Sequence, residues 1–226
     1  MALICVDEDG FRGVNEREKD ALKFTFGRTV GNCLIDIIRV EYDPDLARTE
    51  NCGKVKNKVK KKDNKTYISM KSDYGPPPMR SGPNYSGLIW LGCFIHEAAH
   101  IWQRNTGLRQ EGEGGTNYEY DDEELPELKF EVEQHASAVQ DWFIVKYGVK
   151  SGLADLTNPN IYRYIWTPIF KVFEYDIKHL SGFSPDQLQQ IIGVWDPVIE
   201  EIRDPDKFPG CPRGFQLKLG LMAVGA

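Results

Sequence analysis

Apolar positions between 88 and 102 recur at helical spacing. Leu88, Leu91, Ile95, Ala98 and Trp102 form one stripe, with Trp90, Phe94 and Ile101 in a second beside it. A helix apolar over so much of its circumference is buried. The pattern predicts a helix over 86–104, stopped by Gly107. Upstream, Asn15 with Glu18 three residues later is a capping-box signature, and Ala21, Leu22, Phe24 and Phe26 follow it. Gly27 reads as a stop, so the predicted helix covers 16–26. Residues 34–42 are rich in β-branched side chains and bounded by Asn32 and Asp43-Pro44, which favours a strand.

Regular patterning then lapses over 45–85. Lys54, Lys56, Lys58, Lys60, Lys61, Lys62 and Lys65 interleave with Val55 and Val59 before the run TYISM at 66–70. This predicts a hairpin whose lysines lie on an exposed edge and deter edge-to-edge pairing, with an anionic partner for the arm as the alternative. A Pro- and Gly-rich loop leads into the central helix. Beyond a glycine- and acid-rich loop at 108–125, Pro126 suits the first turn of a helix running to Tyr147 and stopped by Gly148. Leu128, Val132, Val139 and Phe143 form its core stripe, and Glu133, Ala136, Ser137 and Gln140 lie next to them. Two more helices are predicted near 159–180 and 185–203, before a Pro- and Gly-rich tail.

Composition narrows this without redirecting it. The 226 residues, 41% hydrophobic and 27% charged, fit one domain, or one with a small appendage, and argue against wholesale disorder. A net charge of -6 gives no reason to expect nucleic acid. The longest apolar run, 88–95, is too short to span a bilayer, and the first ten residues lack the basic start of a secretory signal. The expectation is a cytoplasmic protein as made. Five scattered cysteines without a C-x-x-C pair suggest reduced thiols.

The chemistry lies inside the central helix, in His96-Glu97-Ala98-Ala99-His100. Four residues apart, the two histidines project from one face and can reach a single metal ion, on a stripe shared with Gly92, Cys93 and Gln103. Glu97 sits roughly 100° further round, beside such an ion, where a general base for a metal-activated water belongs. Zinc requires a third protein ligand and keeps a fourth position open in a hydrolytic site. Glu133 is expected to supply it, from a separate helix face with small neighbours; Glu131 and His135 are the rivals. Asp141 could accept the second ring proton of a liganding histidine. Tyr118, Tyr120, Tyr162 and His135 are candidates to stabilise an oxyanion. Cys93 with His96 and His100 is a weaker ligand set, because one straight helix cannot easily wrap a tetrahedral ion.

HEAAHIWQ at 96–103 with Glu133 downstream resembles the gluzincin-type zinc metallopeptidases, which use two His and one Glu. The wider pattern is similar to bacterial HExxH peptidases encoded with, or fused to, Vgr and Rhs elements of type VI and related contractile secretion systems. That likeness draws on the helix ending in Phe26-Gly27, the strand around Ile35 to Val40, Trp102-Gln103, Glu133-Gln134 with Ala136-Ser137, Val139, Asp141 and Phe143, and Arg213-Gly214-Phe215. The chain departs from it at His135, where the group carries Gln, and in the length of the lysine arm.

The resemblance implies an α+β, mainly helical, zincin-like metallopeptidase in a single domain, 1–226. Residues 1–85 would form an N-terminal helix, strands and basic arm, and 86–226 a helical metal-binding core. It also implies Zn2+ on His96, His100 and Glu133, Glu97 as base, and a protein or peptide substrate. A secretion-system effector exported without a leader is the corresponding biological expectation. A non-catalytic metal-binding cargo or interaction module that keeps the zincin fold is the alternative.

Overall fold

The computed structural model describes residues 11–43, 53–56, 65–71, 85–108, 120, 131–151 and 193–208. In chain order they form β1 (Arg12–Gly13), α1 (Glu16–Ile37), β2 (Ile38–Asp43), β3 (Gly53–Lys56), β4 (Thr66–Lys71), α2 (Tyr85–Thr106), α3 (Val132–Ser151) and α4 (Asp196–Arg203). A short 3-10 turn, Pro205–Lys207, follows. The architecture is α+β and mainly helical. No helix among the described residues is long and apolar enough to cross a membrane.

The start of α1 follows its sequence signature. The Asn15 side chain accepts from the Glu18 N–H at 3.0 Å, and Glu18 Oε2 accepts from the Asn15 N–H at 2.7 Å. Such a cap contributes about 1 kcal/mol. Glu18 also takes two hydrogen bonds from the Arg12 guanidinium, at 2.6 and 2.7 Å, which fastens β1 to the helix start.

Gly27 ends the first helical segment, as expected, but a second segment follows directly across a kink. Gly27 adopts φ 73° and bends α1, which then continues to Ile37. Arg203 compensates for the interruption, donating from Nε to the Thr25 carbonyl at 3.0 Å and from Nη2 to the Phe24 carbonyl at 2.7 Å. Its guanidinium also lies over the Trp142 ring, 5.1 Å from the centroid. The strand expected over 34–42 accordingly begins only at Ile38, because 34–37 are spent on the second arm of α1.

The sheet order is β1-β2-β4-β3, with β2 and β4 parallel and the other pairs antiparallel. The expected hairpin is present as β3 and β4, in the register Val55↔Ile68, and β3 lies at the edge. The lysines at 58–62 lie outside the described residues. Ile38, Val40, Ile68 and Met70 are buried and join the core of the helices. Tyr67 is buried on the other face against Phe11, with ring centroids 4.4 Å apart.

Buried at every described side chain from Trp90 to Gln103, α2 is the helix around which the rest is arranged. α3 packs most extensively against it, and α1 covers both. Gly92 makes the α2–α3 approach possible, since a Cβ there would lie 2.8 Å from the Ile144 side chain. Phe24 of α1 packs on Trp142 and Tyr147 of α3, with centroids 5.2 Å away in both cases. α2 ends as expected, at a left-handed Gly107 whose N–H donates to the Gln103 carbonyl.

Further helix boundaries differ from expectation. α3 runs through Gly148 to Ser151. The helix predicted over 185–203 is interrupted at Val194 and Trp195, and α4 restarts with Pro197 in its first turn, where the missing N–H costs nothing. α3 opens at Val132, after a non-helical Glu131, and so does not run unbroken from Pro126 as expected. Pro126 itself and the helix predicted near 159–180 lie outside the described residues.

Candidate metal centre

Helical periodicity aims the two histidines of α2 at one point. Their rings meet edge to face, with centroids 4.8 Å apart and planes at 84°. Glu133, in the first turn of α3, enters from across the helix–helix seam. His96 Nε2 and His100 Nε2 are 3.2 Å apart, and Glu133 Oε2 lies 3.2 Å from the first and 3.3 Å from the second. These three residues could hold a metal ion. The spacing fits zinc: bonds of about 2.0–2.1 Å at tetrahedral angles put ligand atoms about 3.3–3.4 Å apart.

The electrostatics of the cluster favour positive charge. Burial pushes His96 down, assisted by the charge on His100, and hydrogen bonding to Glu133 and Gln140 only partly offsets this. His100 is also opposed by burial. Glu133, the charge of Glu97 and the Gln103 side chain nonetheless raise it to about 9. Burial raises the Glu133 carboxyl, but hydrogen bonds from His100 and His96 hold it well below the usual carboxylate range. One cation is therefore wanted among the three groups, and a proton on His100 meets the demand when no metal is bound. Glu97 is buried next to them in sequence, and its charge is felt at His100.

The remaining candidates fall in different places. His135 is fully buried, with Nδ1 3.1 Å from Gln103 Nε2, and with Nε2 at ion-pair distance, 3.3 Å, from Glu201 Oε2. Its ring stacks on Trp102 at 5.6 Å. Glu131 is exposed, and neither it nor His135 belongs to the convergent group. Tyr120 and Asp141 are brought to each other: the Tyr120 hydroxyl donates to Asp141 Oδ2 at 2.8 Å and accepts from Trp195 Nε1 at 2.8 Å. Tyr118 and Tyr162 lie outside the described residues.

Cys33 and Cys93 are disulfide-bonded, which corrects the expectation of reduced thiols. It also removes Cys93 as a metal ligand, since the bonded sulfur has no thiolate to offer. Two glutamines behind the histidines went unremarked as functional residues. Gln103 Oε1 lies 2.8 Å from His100 Nδ1, and Gln140 acts to raise the His96 pKa. The available signal was their place on the histidine stripe of α2 and on the Glu133 stripe of α3.

Compared with family models, with curated proteins and with solved structures, the chain gives no match.

Proposed function

We propose that the chain is a zinc-dependent metallopeptidase with a zincin-like core, in which His96, His100 and Glu133 hold the metal. The observation that carries this reading is the convergence of three ligand atoms at tetrahedral spacing beside a buried Glu97. Zinc held there would polarise a carbonyl and acidify water, leaving its fourth position to the reactants. Glu97 takes the proton of the attacking water and delivers it to the leaving amine nitrogen. Glu133 and the histidines stay fixed because their helices are packed on both sides. Since Tyr120 and His135 are engaged with Asp141, Gln103 and Glu201, Tyr118 and Tyr162 are the sequence candidates for the oxyanion.

The substrate in this proposal is a peptide bond of a protein or a peptide cross-link. Export by a contractile secretion apparatus belongs to the same proposal, and disulfides at Cys33 and Cys93 support work in an oxidising compartment.

Metal analysis together with peptide hydrolysis tests the reading. Wild type should carry about one zinc per chain, and Glu97→Gln should keep it while losing about 10²–10⁴-fold in turnover. Hydrolysis unaffected by Glu97→Gln would sink the mechanism. Zinc without any turnover in wild type would favour the non-catalytic module.

A further inference from the structure

We infer that Gln103 is a positioning residue for the metal centre, fixing the His100 ring through its amide oxygen while its amide nitrogen anchors the side chain at Val132 and His135. The inference rests on the metal reading above. Gln103 is 1% exposed, and its three polar contacts are short. Nε2 donates to the Val132 carbonyl at 2.9 Å and lies 3.1 Å from His135 Nδ1, while Oε1 lies 2.8 Å from His100 Nδ1.

The chemistry of the partners decides the direction of every bond. A backbone carbonyl only accepts, so the amide nitrogen must face Val132 and the amide oxygen must face His100. His100 therefore donates from Nδ1–H, and a neutral ring then presents the lone pair of Nε2 to His96 and Glu133. The second amide hydrogen goes to His135 Nδ1, which accepts. The proton of a neutral His135 consequently sits on Nε2, facing Glu201 Oε2 at 3.3 Å, and Lys207 Nζ lies 3.5 Å from Glu201 Oε1. Stacking on Trp102 keeps the His135 ring in that plane. The hydrogen bonds that join Val132, His135 and His100 through Gln103 thus admit one consistent set of hydrogen positions.

The anchor is also close to the site: Val132 immediately precedes Glu133, at the point where α3 delivers its carboxylate. Only a primary amide of this length offers one acceptor and two donors at once.

Two substitutions separate these roles. Gln103→Leu removes all three contacts, whereas Gln103→Glu keeps an acceptor for His100 and loses both donors. Zinc affinity by chelator competition, the visible spectrum of the cobalt(II)-loaded protein, and far-UV circular dichroism of the metal-free protein are measured for each. Gln103→Leu should weaken zinc about 10–100-fold and alter the cobalt bands, as losses of partners behind a liganding histidine do. Gln103→Glu should restore most of that affinity and the wild-type cobalt bands, because a carboxylate behind a histidine serves the same purpose.

A merely structural tie between α2 and α3 predicts instead that the two variants fail equally, and that result overturns the inference. Wild-type affinity with unchanged cobalt bands in Gln103→Leu overturns it too. If Gln103→Leu does not fold, Gln103→Glu decides alone: affinity within about tenfold of wild type supports positioning, and a loss approaching 100-fold refutes it. Failure of wild type to take up zinc or cobalt would show that the metal reading itself had failed.

Discussion

Arg12 and Glu18 meet in the interior as opposite charges joined by two hydrogen bonds, whereas His96, His100 and Glu133 bring three acceptor atoms to within 3.3 Å of one another. In the first cluster the opposite charges cancel. In the second, two buried histidines and a partly buried carboxylate leave a demand for positive charge. The contrast distinguishes a polar cluster that fastens the fold from one suited to holding something. Burial alone does not make the distinction; the balance of donors, acceptors and charge does.

Removing one carboxylate from each cluster should break the comparison most sharply. Glu18→Ala leaves a guanidinium buried without its ion-pair partner and should cost about 3–5 kcal/mol in denaturant unfolding, with zinc stoichiometry unchanged in the folded fraction. Glu133→Ala should weaken zinc by more than about 100-fold, beyond the loss expected for an outer partner, and should bring the raised His100 pKa of the metal-free protein down. Zinc retained at full affinity by Glu133→Ala would refute the ligand assignment.

A pH titration sharpens the same point. In the metal-free protein His100 is raised from 6.5 to about 9, so its contribution to stability is complete below about pH 6.5 and is lost as pH rises through about 9. Glu133 is depressed below 4.5, so its contribution is present above that value and is lost as pH falls through its lower folded value. His96 is lowered by burial, so its contribution is complete above about pH 6.5 and is lost as pH falls below it, and metal-free protein should therefore melt highest near pH 6.5. Zinc must displace the His100 proton, so affinity should climb about tenfold per unit between about pH 7 and 9. A flat profile in isothermal titration would contradict this. The smallest effect is expected at the seam: Gly92→Ala meets Ile144 and should destabilise by about 1–3 kcal/mol, with a lower zinc affinity as α3 is pushed away.

Local chemistry was legible in the sequence; chemistry spanning the chain was not. His96 and His100 are set by the turn of a single helix, and the Glu133 stripe follows from the spacing of its neighbours. The Asn15 cap and the Gly107 stop depend on residues within four positions. Gly27 was legible as a break, but the helical segment resuming beyond it was not, and neither was Arg203, 178 residues from Thr25, bonding the carbonyls beside the kink. Tyr120 and Asp141 each looked suited to a cleft, and no periodicity reveals that they bond to each other. Cysteine spacing could not report bonds that depend on three-dimensional proximity. Gln103 was visible as a member of the metal stripe, but its role emerges only with Val132 and His135 placed around it.

The bend at Gly27 also orders events during synthesis. Its carbonyls wait for Arg203, and at roughly 5–20 residues per second a ribosome needs about 10–40 s to cover the distance. Throughout that interval α1, α2 and α3 can emerge while the contact with α4 remains unmade. A nascent chain would thus complete α2 and α3 well before the segment that braces α1, leaving chaperones time to engage it before that contact forms.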